Sequence, residues 1–173
     1  PGNGLIDQWA ELKTGAAMDE GGALAREGQV HSDILRMMLL NSYIRRRPPK
    51  SLDRYDFKLD PALGLSAADG AATLTAFTAA CVRASAAHLP EPPGEWIVAG
   101  GGRRNPALMT ALQKALEAPV LSAEDVGWRG DDLEAECFAY LAARSLKRLP
   151  LTFPRTTRAP RPLSGGVFWR APV

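Results

Sequence analysis

The residues of this sequence best suited to chemistry are Gly100-Gly101-Gly102-Arg103-Arg104-Asn105. They lie between a short apolar stretch that reads as a strand and the start of a helix. Consecutive glycines let a backbone approach a ligand closely, and a helix N-terminus favours anionic or electron-rich groups. That combination suits the nucleoside and phosphate region of a nucleotide; a tight strand-to-helix turn is the other reading. No Gly-Lys-Ser or Gly-Lys-Thr follows, so this is not a P-loop. Three further places could carry chemistry. Pro1-Gly2-Asn3 precedes an apolar helix and by itself offers a turn and a cap. Glu134 is a carboxylate early on an otherwise apolar helix, able to accept from a sugar hydroxyl or simply to complement the helix dipole. Phe153-Pro154-Arg155-Thr156-Thr157 clusters two hydroxyls and an arginine, for sugar binding or as loop decoration.

Other chemistries find no support. The two histidines, His31 and His88, are far apart and have no cysteine or carboxylate at ligand spacing, so no protein-built metal site is expected. No Ser-His-Asp or Cys-His arrangement is legible, nor a pair of histidines one helical turn apart. The two cysteines, Cys81 and Cys137, sit in apolar helical contexts and are expected as free buried thiols. A net charge of +2 is too small to argue for nucleic acid, and the run Arg45-Arg46-Arg47 before Pro48-Pro49 reads as a solvated helix end. No apolar stretch is long enough to span a bilayer.

The elements that must position these residues follow from periodicity. Asn3 to Lys13 reads as a helix capped by Asn3, with Leu5, Ile6, Trp9 and Leu12 on one face and Gly15 as its stop. Residues 19–29 read as a loop with a short turn. His31 to Tyr43 is helical, with Ile34, Leu35, Met38 and Leu39 together, and Pro48-Pro49 ends it. Ser66 to Ala87 is the longest helix, with Ser66 and Asp69 as a capping-box variant and Thr73, Thr75 and Thr78 spaced for close packing. Glu95 to Ala99 reads as a buried strand, and Asn105-Pro106 opens a helix through Leu108, Met109, Leu112 and Leu116. Pro119 to Ser122 is a second strand. A last helix starts at Asp131 or Asp132 and runs through Glu134, with Phe138, Leu141 and Leu146 expected in the core. Strand-helix-strand-helix order implies a parallel α/β sheet. Two strands cannot bury both faces, so further strands are expected from residues before Pro1. At 173 residues with 46% apolar content, the chain suits one soluble domain.

Taken in order, these segments resemble one family. The match runs through Pro1-Gly2-Asn3 with Leu5-Ile6-Asp7 and Trp9, then Asp19, Gly22, Ala25, Gly28 and Val30. Pro48-Pro49-Lys50-Ser51 with Arg54 and Phe57 resembles its Pro-Pro-Lys-Ser loop. Residues 72–79 resemble its central helix, and Gly100-Gly101-Gly102 with Asn105, Leu108 and Met109 its nucleotide-side loop. Glu134-Ala135 with Phe138-Ala139 and Leu141-Ala142, then Pro150, Phe153-Pro154, Thr156-Thr157 and Gly165-Gly166, complete it. The family is anhydro-N-acetylmuramic acid kinase, of the superfamily of actin, hexokinase and the heat-shock chaperone ATPases. This chain departs from it at Arg158, where the family usually has glycine, at Tyr55, where a carboxylate is frequent, and at Ala99, where cysteine is common.

The resemblance implies an incomplete actin-like (ribonuclease H-like) ATPase domain, mostly helical, with parallel strands near 95–100 and 119–122. It implies that residues 1–173 are the C-terminal portion of the second actin-like domain. It further implies transfer of the γ-phosphate of ATP, with Mg2+, to O6 of 1,6-anhydro-N-acetylmuramic acid while water opens the ring. The product is N-acetylmuramic acid 6-phosphate, in peptidoglycan recycling. Gly100, Gly101, Gly102 and Asn105 would bind the nucleotide, and Glu134 and Asn3 the sugar. The general-base aspartate is expected just before Pro1, so the chain alone is expected to be inactive. The intact protein is expected to be a cytoplasmic homodimer with a small-molecule sugar substrate and neither nucleic-acid nor membrane partners. Two other readings stand beside this one: a non-catalytic binding module of the same fold, and another sugar kinase of the superfamily.

Overall fold

The computed structural model describes residues 1–53 and 55–170; Arg54, part of the Pro-Pro-Lys-Ser loop match, lies outside them. Two compact units divide the chain. The first comprises residues 1–46 and 52–130, the second residues 47–51 and 131–173.

In the first unit, helix α1 (Gly4–Thr14) buries Leu5, Ile6, Trp9 and Ala10 and stops at Gly15, whose φ of 75° is left-handed. The expected cap does not form: Asn3 has helical backbone angles and no capping hydrogen bond. Leu12 is 57% exposed rather than on the buried face. The segment expected as a loop contains a short helix, α2 (Ala23–Glu27). The buried Asp19 organises it by accepting from the Leu24 and Ala25 N–H groups at 2.8 and 3.1 Å. The next expected helix is broken in two, α3 (Ser32–Leu39) and α4 (Ser42–Arg45). The break falls at Asn41, whose side chain caps α4 through Tyr43 N–H. The Pro48–Pro49 bond is cis.

Helix α5 (Ala67–Ala86) is the centre of this unit. Ser66 caps it, accepting from Asp69 N–H at 3.1 Å. Asp69 does not complete the box by returning to the Ser66 backbone; its carboxylate accepts from Gln29 N–H at 2.8 Å. The small residues of α5 let neighbours close in, and Thr73, Thr75 and Thr78 are all buried. One core cluster gathers Leu5, Ile6, Trp9, Met38, Ala62, Ala71, Leu74 and Phe77. A second joins Ala79 to Leu108, Leu112 and Leu116 of α6 (Pro106–Ala115) and its flank, with Val82, Trp96, Val98 and Val120 against them.

Strands β1 (Trp96–Val98) and β2 (Val120–Ser122) pair in parallel, with Trp96 opposite Val120 and Val98 opposite Ser122. The parallel pairing is as the element order requires. Both strands are half-buried rather than buried, with Trp96, Val98 and Val120 packed against the α6 cluster.

The second unit contains α7 (Leu133–Leu146) and α8 (Pro154–Thr157). None of the residues of α7 is buried. Phe138 and Leu146, expected in a core, are 64% and 63% exposed. Cys137 on the same helix is exposed and Cys81 half-buried, neither in a disulfide, where two buried thiols were expected. The tail returns as an isolated antiparallel bridge between Thr152 and Leu163. Arg144 Nε donates to Pro150 O at 2.7 Å, and Ser145 Oγ donates to Gly165 O at 2.6 Å.

Candidate functional site

The glycine segment is a single 3-10 turn, Gly101–Arg104, between β1 and α6. Gly100 leads into it with φ 72° and ψ −175°, a conformation essentially restricted to glycine. A Cβ on Gly100 or Gly101 would meet nothing within 4 Å, so the turn presents bare backbone to open space. At Gly102 a Cβ would come within 3.2 Å of Leu108 Cδ2, a tight contact that the leucine side chain would have to yield to by a few tenths of an ångström.

The turn is held from two sides. On one, Asn105 caps α6 by accepting from Leu108 N–H at 3.1 Å, while its own N–H closes the turn onto Gly102 O at 3.1 Å. On the other, Arg103 folds away from the cleft. Its Nε lies 2.9 Å from both carboxylate oxygens of Glu124, its NH2 donates to Glu124 Oε1 at 2.7 Å, and its NH1 donates to Gly100 O at 2.9 Å. The Arg103 guanidinium holds Glu124 down to about 2 from its ordinary 4.5, with backbone hydrogen bonds assisting. Charge-assisted, forked pairing of this kind fixes geometry as well as charge.

Gly101 and Gly102 share a cleft of ≈ 580 Å³ with Asn3, Asp7, Thr78, Val98 and Ala99. Asn3, expected on the sugar side, therefore lies beside the glycine turn: Asn105 Nδ2 donates to Asn3 Oδ1 at 3.3 Å. Asn3 Nδ2 in turn faces Asp7 Oδ1 at 3.4 Å. Thr78 Oγ1 donates to Gly2 O at 3.1 Å and pins the preceding residue to α5. Burial pushes the Asp7 carboxyl above its usual range, and the nearby charge of Asp19 adds to the shift. The five expected binding residues of the first unit, Asn3, Gly100, Gly101, Gly102 and Asn105, thus form one neighbourhood. The sixth, Glu134, stands exposed in the first turn of α7 in the second unit.

Asp7, Asp19 and the pairing of Arg103 with Glu124 escaped the sequence reading as functional features. Asp7 stands four residues after Asn3, the spacing of one helical turn, and that was the available signal. Asp19 precedes a glycine pair and a helix start, a legible capping signature. The Arg103–Glu124 pair spans 21 positions, and local sequence carries no sign of it. Among the described residues no group of three or more His, Cys, Asp or Glu side chains is placed to hold a metal ion. No helix among them is long and apolar enough to cross a membrane.

Comparison with known proteins bears on this site. The family model described as anhydro-N-acetylmuramic acid kinase matches residues 1–171. Curated relatives carry the same description. The one from Rhodospirillum rubrum is 54% identical over 171 residues, which is 99% of this chain and 46% of the relative. Those from Rhizorhabdus wittichii and Paramagnetospirillum magneticum are 53% and 52% identical, over 98% and 96% of this chain and 47% and 48% of theirs. The chain spans about half the length of the curated relatives it matches. The expectation that the chain is the C-terminal part of such a kinase is not borne out.

Proposed function

Because the chain belongs to the anhydro-N-acetylmuramic acid kinase family, we propose for the protein an ATP-dependent kinase activity on 1,6-anhydro-N-acetylmuramic acid, within an actin-like ATPase fold. The sugar is phosphorylated at O6 while water opens the anhydro ring, giving N-acetylmuramic acid 6-phosphate for cell-wall recycling in the cytoplasm. The whole protein works as a homodimer.

The observation that carries this reading is the glycine turn. A parallel strand delivers Gly100 in a conformation that other residues resist, and Gly101 follows with open space where a side chain would stand. An adenosine can lie flat against such a backbone, so the residues present fit the nucleotide. When bound, ATP supplies the phosphoryl group, and Mg2+ offsets the charge of its phosphates. This chain shows no cluster for the metal among its described residues.

The contribution of this chain is binding and orientation. Gly100 to Gly102 form the adenosine wall and Asn105 keeps the turn closed. Arg103, committed to Glu124, keeps its positive charge off the nucleotide face. Glu134 accepts from a sugar hydroxyl or from the attacking water.

A paired experiment on the intact kinase tests the division of labour. Gly101→Val puts a branched side chain into the open space of the turn. It should raise the apparent ATP constant at least about tenfold and leave the sugar constant in place. Glu134→Gln should do the reverse, lowering turnover or sugar affinity at least about tenfold, equivalent to about 1.4 kcal/mol, with ATP binding intact. A folded Gly101→Val enzyme with an unchanged ATP constant refutes the nucleotide assignment. A Glu134→Gln enzyme that loses only thermal stability refutes the sugar assignment and leaves a helix-dipole role.

A further inference from the structure

The start of α1 and the glycine turn are joined by a run of side-chain hydrogen bonds whose direction is set at both ends. Leu108 N–H can only donate, so Asn105 must turn its Oδ1 toward it, at 3.1 Å. That leaves the Asn105 amide nitrogen facing Asn3, and Nδ2 donates to Asn3 Oδ1 at 3.3 Å. With its oxygen engaged, Asn3 presents its own Nδ2 to Asp7 Oδ1 at 3.4 Å. An ionised carboxylate can only accept, so the run ends there. Each amide has one orientation compatible with both its neighbours, and the two ends agree on it.

The surroundings leave these groups little freedom. Asn105 is buried. Gly22 packs so closely on it that a Cβ there would collide with Asn105 Oδ1 and with Ala107 Cβ, the latter at 2.6 Å. The Asn105 backbone closes the glycine turn through its N–H to Gly102 O, so a displaced Asn105 is a displaced turn. At the other end, Asp7 is fixed within α1, its N–H donating to Asn3 O at 2.9 Å.

We propose that Asp7 is a positioning residue for the nucleotide side of the site: as the terminal acceptor, it holds Asn3 and Asn105 in one amide orientation and so fixes the glycine turn against the first turn of α1. The proposal rests on the reading of Gly100 to Asn105 as the nucleotide-side turn. Without an acceptor at position 7, only the Asn105 donor at 3.3 Å still orients the Asn3 amide, and its own Nδ2 is left without that partner. A reversed Asn3 sets NH2 against NH2 at Asn105 and pushes the turn away from the cleft. A first-turn carboxylate also complements the helix dipole, a role that acts on stability and leaves the ATP constant alone.

Three variants of the intact kinase separate these roles. Asp7→Leu removes the terminal acceptor. Asp7→Asn removes the charge but keeps a carbonyl that Asn3 Nδ2 can reach. Asn105→Asp keeps the acceptor for Leu108 N–H and removes the donor to Asn3. Apparent ATP and sugar constants, with thermal melting followed by circular dichroism, are measured for each, beside Gly101→Val. The proposal expects Asp7→Leu and Asn105→Asp to raise the ATP constant at least about tenfold with the sugar constant unchanged, and Asp7→Asn to stay within about threefold of wild type. If Asp7→Leu does not fold, Asn105→Asp decides. An Asp7→Asn enzyme as impaired as Asp7→Leu shows that the charge itself is needed and overturns the proposal. Wild-type ATP constants in both acceptor and donor variants, while Gly101→Val raises its own, overturn it too. An unchanged constant in Gly101→Val fells the underlying assignment of the turn instead.

Discussion

Gly70→Ala is the sharpest test of how α1 and α5 pack. Gly70 lies in the first turns of α5, buried. Helix propensity favours the change by about 1 kcal/mol, since glycine is the poorer helix former. Packing opposes it. A Cβ at Gly70 would stand 2.7 Å from Trp9 Nε1 and closer still to Cε2 and Cζ2. The indole cannot slide away: it is 0% exposed, and Nε1 donates to Ala67 O at 2.8 Å. Overpacking of a filled core costs about 1–3 kcal/mol, and a fully buried ring held by that hydrogen bond puts this case in the upper half of that range. The expected net loss is about 1–2 kcal/mol, or roughly 2–8 °C in melting temperature for a chain of this size. Urea unfolding followed by far-UV circular dichroism should show a lower midpoint with an unchanged slope. Gly64→Ala, where a Cβ meets nothing within 4 Å, should stay within about 0.5 kcal/mol of wild type. Trp9→Phe lacks the ring atoms that the new methyl meets, so the double variant should be less destabilised than the sum by at least about 0.5 kcal/mol. A Gly70→Ala protein as stable as wild type, or strict additivity with Trp9→Phe, would show that α1 and α5 do not pack as described.

Two further expectations follow from charge and backbone geometry. The folded state holds Glu124 at about 2 against an ordinary 4.5. Its stabilising pair with Arg103 is therefore complete above the higher value and is lost as pH falls toward the lower one. Acid titration of stability should show a shallower loss between those two values in Glu124→Gln than in wild type; identical acid limbs would count against the pair. Arg158 closes α8 with φ 60°, a left-handed position that favours glycine. Arg158→Gly should slow amide exchange around Thr156 and Thr157 and stabilise that turn by up to about 1 kcal/mol. Faster exchange there would mean that the arginine side chain contributes more than its backbone strain costs.

What the sequence disclosed depended on how local the cause was. Asn105-Pro106 and Ser66 were legible as helix starts because a cap is a contact over three residues. Gly15 was legible as a stop because only its own φ was involved. The apolar spacing of Ile34, Leu35, Met38 and Leu39 marked a real packing face. Asn3 misled because it has the composition of a cap, while its side chain is drawn to Asn105, a residue 102 positions away. Phe138 and Leu146 have helical apolar spacing, yet no residue of α7 is buried; periodicity names a face and not its partner. Of the site, the glycine turn, Asn105 and Asn3 were legible one by one, and the contacts joining them were not, since Asn3 and Asn105 meet only in the folded chain.

The double restraint on the glycine turn also has an entropic side. Ordering a residue's backbone costs about 1–2 kcal/mol. In a loose glycine loop that cost would fall on ligand binding, because glycine has the most freedom to lose. Here Asn105 on one flank and the Arg103–Glu124 fork on the other immobilise the turn during folding. The stretch of chain with the fewest side-chain atoms is thus among the most preorganised, and a ligand meeting it surrenders mainly its own freedom.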